Sequence, residues 1–339
     1  MAAATALPGC LRATAATAAL RLNSGVSSTP IAPAPAIVER AARRRLEPSL
    51  TSGDLALQWI GRHSQRLRDL QPQVLADRDP EPLHQFRVSL RRLRSVLAQF
   101  APALRLPARV SPRRIAILAR ATGQARDFDV LLESLRTDLL PGLPGVERDQ
   151  LIPLQRRLQR QRRGAFAALE AELQAPRSQR LLARLERWQR QPRYAPLGLE
   201  PLAAWLPEWW MPLAAPCFLH PGWFSPDPEA PELHDLRKRI KAVRYGLESL
   251  ESHLGGEASL WIQRLRRVQA CLGDLHDQQV FGDLLRGQGR RGLGPLAELE
   301  GRLESRRQVQ WLRWQELRRD LLAPACRRTW LTLALAEPA

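Results

Sequence analysis

The sequence predicts an all-α protein in which two similar four-helix sets arise by internal duplication. Three observations predict it. Apolar residues recur at helical spacing along most of the chain. No segment alternates like a strand or carries a hairpin turn signal. A run of residues in the first half returns 150 residues later in the same order.

Residues 1–48 read as a flexible Ala/Ser/Thr/Arg-rich tail with no acid before Glu39. That composition is transit-peptide-like and leaves organelle targeting open, while a continuous apolar stretch with a cleavage site is missing, so secretion is not predicted. A first helix is expected to start at Ser52 or Asp54, both good N-caps, and to stop near Gln71-Pro72. Helices over 82–100, 111–140, 146–174 and 176–190 complete a first repeat spanning 49–191, with Pro112 in the first turn of the second of these and Pro141-Gly142 closing it. Ten of the forty residues in 192–231 are Pro and four are Trp (Trp205, Trp209, Trp210, Trp223), which precludes a long helix and reads as a linker with short turns. Helices over 232–253, 258–285, 295–322 and 326–336 form the second repeat, 232–339, and the Gly-rich stretch 287–294 reads as a loop.

The chain has 339 residues, 44% of them hydrophobic and 25% charged, ordinary globular proportions that exclude a wholly disordered or collagen-like chain. Its charge is unusual. Fifty-two Lys and Arg against 34 Asp and Glu give +18, the balance of a protein that seeks a polyanion: nucleic acid, an anionic membrane or a phosphate polymer. Only Lys238 and Lys241 are lysines. Guanidinium suits bidentate phosphate contacts, but a codon bias toward Arg is the plainer account of the choice, and the net charge stands on either. Cys10, Cys217, Cys271 and Cys326 are too widely spaced for a zinc site or a disulfide framework and read as small buried side chains in a reducing compartment. The most apolar stretch, 201–223, is broken repeatedly by Pro, so no transmembrane helix is expected.

The repeat carries the chemistry. Leu83-His84-Gln-Phe-Arg87 through Arg91, Arg94 and Leu97 falls on Leu233-His234-Asp-Leu-Arg237 through Lys241, Arg244 and Leu247. On a helix at 100° per residue, His84, Arg87, Arg91 and Arg94 share an arc of about 80°, directly beside the apolar arc of Leu83, Phe86, Leu90, Leu93 and Leu97. His234, Arg237, Lys241 and Arg244 repeat the pattern. Like charges at this spacing destabilise a helix, and cations beside a core are partly desolvated. Solubility alone would set charges opposite the core and mix their signs, so two matching stripes point to a groove for several consecutive phosphates. A merely solvated basic face and structurally satisfied histidines are the alternative account. Glu248 reads as an internal counter-charge for Lys241 or Arg244. Further along, Gly123 falls on Gly273 and Asp127 on Asp277, each glycine implying close packing and each Asp an orienting ion pair for the stripes. Asp127 shares a helix face with Arg113 and Arg120.

At these residues the sequence resembles the CHAD domain family, named for its histidines and α-helical content. The likeness rests on Pro82-Leu-His84-Gln-Phe-Arg87-Val-Ser-Leu-Arg91-Arg92-Leu-Arg94, on Gly123-Gln-Ala-Arg126-Asp127-Phe-Asp-Val130, and on His234 through Tyr245 and Glu248. It covers about 52–336. The resemblance implies two four-helix bundles related by a pseudo-twofold axis and a basic central surface that binds inorganic polyphosphate, in a binding and targeting module of the cytoplasm associated with polyphosphate granules. The residues it implies as ligands are His84, Arg87, Arg91, Arg94, His234, Arg237, Lys241 and Arg244, with Arg92 less directly since its repeat partner is Ala242. Arg113, Arg120, Arg126 and Lys238 extend this cationic set. His276 stands where the first repeat has Arg126, which leaves that contact open. The acidic and Lys-rich strands of a triphosphate-tunnel domain are not seen, so the chain resembles the stand-alone module, with no cofactor and no catalytic role expected.

Two other classes of function compete. A nucleic-acid binder explains the charge but expects aromatic residues among the cations, and the stripes contain only Tyr245. A metal phosphohydrolase would draw on His276-Asp277 with His234, Asp274 and Asp283, a set too scattered for a two-metal site. No P-loop, nucleophile elbow or dinucleotide-binding turn is evident.

Overall fold

The computed structural model describes residues 49–287 and 294–335; the tail, most of the Gly-rich loop and the final residues lie outside them. Among the described residues eleven α-helices follow one another, and there is no strand, only two isolated bridges.

Helix α1 spans Ser52–Ala76. Its N-cap is Thr51, one residue before the expected cap, whose hydroxyl oxygen accepts the Asp54 amide at 3.1 Å. The helix also runs through Pro72, past its expected end. Pro72 is exposed, so the carbonyl it deprives of a partner can be hydrated, while buried Leu70 and Val74 keep both sides of it on the core. Asp77, in the left-handed conformation, ends it. Helix α2 covers Pro80–Gln99, capped by Asp79, and α3 covers Pro112–Ser134, capped by Ser111. Instead of continuing as α-helix to residue 140, α3 widens into a π turn over Leu135–Leu139. The wider turn leaves Leu135 and Leu139 both buried. Helices α4 (Gly145–Gln174) and α5 (Pro176–Arg190) follow.

Segment 192–231 holds the short helices α6 (Pro196–Leu199) and α7 (Leu206–Ala214) and two 3-10 turns. Trp209, Trp210 and Trp223 are buried, and each indole N–H finds an acceptor: Ser52 Oγ at 2.9 Å, the Trp330 carbonyl at 3.3 Å and the Cys217 carbonyl at 2.8 Å. Trp223 stacks on Trp314 at 5.4 Å. Helices α8 (Pro231–Leu250), α9 (Ala258–Arg286), α10 (Ala297–Leu322) and α11 (Pro324–Thr332) complete the chain. Cys217 and Cys271 are buried, and burial pushes their thiols up to about 12 and about 11.

The main core runs from Leu55 to Ala334 and draws on both halves of the chain. A smaller cluster joins Leu135, Leu139, Leu151, Leu154 and Leu158 to Phe281, Leu285 and Leu299. Helix α2 packs on α1, α3 and α8, and α8 packs on α9. At the α2–α8 contact the Ser249 hydroxyl donates to Gln99 Oε1 at 2.9 Å, and the Trp59 indole donates to the Ser249 carbonyl at 3.1 Å. This contact sets the two cationic helices side by side. No helix among the described residues is long and apolar enough to cross a membrane.

Candidate functional site

Both cationic helices turn their inner, apolar arcs into the core: Leu83, Phe86, Leu90 and Leu93 of α2 and Leu233, Leu236, Ile240 and Val243 of α8 are buried. Fixed by that packing, the neighbouring arcs open into one basin of about 600 Å³. From α2 come His84, Arg87, Arg91 and Arg94; from α8 come His234, Arg237, Lys238 and Lys241. Arg126 and Asp127 of α3 and His276 and Asp277 of α9 line it as well. The structure therefore brings the two stripes together.

A glycine of the facing helix lies under one guanidinium of each stripe. A Cβ added at Gly123 would stand 2.6 Å from Arg87 Nη1, and one at Gly273 would stand 3.4 Å from Arg237 Nη2. Each guanidinium thus lies across a bare stretch of the facing helix. Asp127 Oδ1 holds Arg87 at 3.5 Å. Asp277 makes no ion pair among the described residues; burial raises its pKa against the pull of Arg237 and Lys241.

Crowding of like charge shows in the titrating groups. Burial, followed by the fields of Arg91, Arg237, Arg87 and Arg244, brings the Lys241 ammonium from 10.5 down to about 7. Burial and then His276, Lys238 and Arg237 push His234 down to about 4, its ring 4.2 Å from that of His276. Burial and Arg126 lower His84, and burial and Arg237 lower His276. Arg91 Nε, Arg237 Nε, His234 Nδ1 and His276 Nδ1 are buried without a hydrogen-bond partner among the described residues.

Four of the expected cations lie outside the lining. Arg244 is 7% exposed and sits behind the wall, paired with Glu248 and donating from Nε to Gln269 Oε1 at 3.0 Å. Arg92 falls about 80° round the helix from His84 and reaches Glu248 at 2.9 Å, as does Arg266 at 2.9 Å. Glu248 therefore gathers three guanidiniums and does not hold Lys241. Arg244 and Arg92 both stack on Tyr245, at 4.6 and 5.2 Å. Arg113 and Arg120 are exposed on α3. They share a face with Asp127, but at 1.5 Å per residue they stand roughly 20 and 10 Å along the axis from the lining residue Arg126.

Sequence reasoning did not single out Ser95 and Gln269 as lining, and left His276 open. Ser95 follows Arg91 by four residues, and Gln269, Gly273 and His276 share a helix face, so helical spacing carried the signal. Among the described residues no group of three or more His, Cys, Asp or Glu could hold a metal ion.

Fold and site together define an all-α module whose central feature is a cation-lined basin. Residues 58–286 match the CHAD domain family model, and the chain belongs to the CHAD domain family. It is similar to the crystal structure of the CHAD domain from the plant Ricinus communis, with a TM-score of 0.57 and 24% identity over 86% of this chain and 94% of that one. It is also similar to PptA from Streptomyces chartreusis, with a TM-score of 0.56 and 16% identity over 80% of this chain and 99% of that one. No curated protein matches the chain.

Proposed function

We propose that the protein is a non-catalytic binding module for inorganic polyphosphate, held by charge pairing in the basin between α2 and α8. The observation that carries this reading is the convergence of His84, Arg87, Arg91 and Arg94 with His234, Arg237 and Lys241 on one opening. A linear chain of phosphates supplies closely spaced anions without bases or sugars, which suits a lining whose one aromatic, Tyr245, is already covered by guanidiniums. On this reading α1–α5 of 49–191 and α8–α11 of the second half are unequal copies of one helical unit, five helices against four, joined by 192–231, and the basin forms where they meet. The equal lengths of α2 and α8, 20 residues each, with bounds within one residue of the 150-residue offset of the repeat, support the duplication. The expected setting is the cytoplasm, at polyphosphate granules.

Calorimetry with polyphosphate of defined length tests the proposal. Arg91→Glu combined with Lys241→Glu should lower affinity by at least 100-fold, about 2.7 kcal/mol, with the helical circular dichroism retained. Wild-type affinity in the folded double variant refutes the basin as the site. Preferential binding of duplex DNA over long-chain polyphosphate would replace this reading with a nucleic-acid one.

A further inference from the structure

A second cationic groove shares no lining residue with the basin. The turn after α2 and the end of α5 bring Arg105, Arg109, Arg184, Arg187 and Arg193 together beside Trp188, around a space of about 690 Å³ with no acid in its lining. Its walls are tied to each other. The Arg105 amide donates to the Arg193 carbonyl at 2.9 Å, and the Trp188 indole donates to the Arg105 carbonyl at 2.9 Å.

Three observations separate this groove from a generally basic surface. On α5 itself, Arg177 pairs with Glu172 and Arg190 with Glu186, whereas the five groove arginines make no ion pair among the described residues. Arg109 sits at φ 69°, a left-handed backbone that glycine would adopt without strain, and yet the residue lining the groove there is an arginine. A helix dipole explains cations in the last turn of α5, such as Arg187, but not Arg105, Arg109 and Arg193, which lie outside helices. The adjoining cleft adds Arg114 and Arg180, beside the Arg177–Glu172 pair.

We infer that this groove is a second docking site for a chain of linked phosphates, so that one protein holds two strands, or two stretches of one strand; the choice of ligand rests on the polyphosphate reading of the basin. Two sites per molecule make the protein a cross-linker of long polymers, with the second contact strengthened by its high local concentration.

The test titrates the full chain with short-chain polyphosphate by calorimetry and with long-chain polyphosphate by light scattering. Wild type should bind two short chains and form large assemblies with long ones. Arg184→Glu with Arg187→Glu should lose one short-chain site and the scattering, while the basin variant Arg91→Glu with Lys241→Glu keeps the groove site. Unchanged stoichiometry and scattering in the groove variant overturn the inference. Full binding by the basin variant, with loss in the groove variant, refutes the basin reading and leaves the groove standing. If duplex DNA displaces the groove-bound chain at lower concentration than polyphosphate does, the ligand assignment fails. Arg105→Gln with Arg193→Gln, which leaves α5 intact, must reproduce the loss; if these folded variants bind normally, the groove is not a site.

Discussion

Lys241 is the residue at which binding and stability pull in opposite directions. In the free protein, burial and surrounding guanidiniums bring its ammonium down to about 7. A bound polyanion reverses that field and restores the proton. Affinity therefore falls as pH rises above 7, because the bound state must take up a proton that the free state has lost. The other charged and titratable groups facing the basin are Arg87, Arg91, Arg94, Arg126, Arg237 and Lys238; Asp127 and Asp277, both raised by burial; and His84, His234 and His276, all lowered by burial below the ordinary imidazole value. Between pH 7 and 9, wild-type affinity should drop by up to about tenfold per unit, whereas Lys241→Arg should stay nearly flat; equal pH profiles by calorimetry would contradict this. The stability sign is the opposite. Between the folded value of about 7 and the unfolded 10.5 the unfolded chain holds more protons on this group, so its contribution to stability rises with pH across that window and is most unfavourable below it. Lys241→Met should stabilise the free protein at pH 7 by on the order of 1–2 kcal/mol, discounted for the solvent that reaches an open basin, and weaken binding in the same variant. A lower urea midpoint in that variant would contradict the sign.

At the scale of the element, Gly123 makes room for the guanidinium of Arg87. Gly123 lies inside α3, where alanine would add about 1 kcal/mol of helix propensity. Its new Cβ would meet Arg87 Nη1 at 2.6 Å and push the guanidinium aside, while at Gly273 the nearest guanidinium atom stands at 3.4 Å, an ordinary contact. Gly123→Ala should therefore weaken polyphosphate binding about three- to tenfold with thermal stability held or raised, and Gly273→Ala should change binding little. Equal effects of the two, measured by calorimetry and thermal denaturation, would show that guanidinium placement is not what the glycines serve. What sequence could and could not reveal divides at this scale. The arcs of α2 and α8 were legible because helical period alone decides which residues share a face, and the bounds of α5 followed from Pro176 and the loss of apolar spacing after Arg190. The passage of α1 through Pro72 was not legible, since it depends on Leu70 and Val74 finding a core. Angular position was also blind to depth: Arg94 and Arg244 fall at matching places on their helices, yet Arg94 faces the basin and Arg244 is buried against Glu248. Arg113 and Arg120 share the face of Asp127, but lie too far along the axis to line the basin.

Across the whole molecule, charge is arranged by partnership as well as by number. Many arginines are spent on structure. Arg162 joins Asp77 to Asp129, and Arg302 and Arg306 donate to the carbonyls of Pro141 and Asp138 at 2.8 Å each. Glu147 accepts the Glu298 and Leu299 amides at 3.0 Å each, fixing the start of α10 against α4. Near Glu248 three guanidiniums share one carboxylate; among the described residues, the basin cations within 4 Å of a carboxylate are Arg87, 3.5 Å from Asp127, and Lys238, 3.0 Å from Asp235. The basin thus gathers largely uncompensated charge on a surface shaped to receive anions, and ion release should dominate its affinity. If six to eight cations engage, affinity should fall roughly 10³-fold or more between 50 and 200 mM salt, by analogy with DNA. The Arg91→Glu, Lys241→Glu variant should have a shallower slope, because fewer counterions are displaced. A salt response that is flat, or that is the same in both proteins, would mean that the basin cations do not meet the polymer, and the arrangement of the two stripes would then need another physical reason.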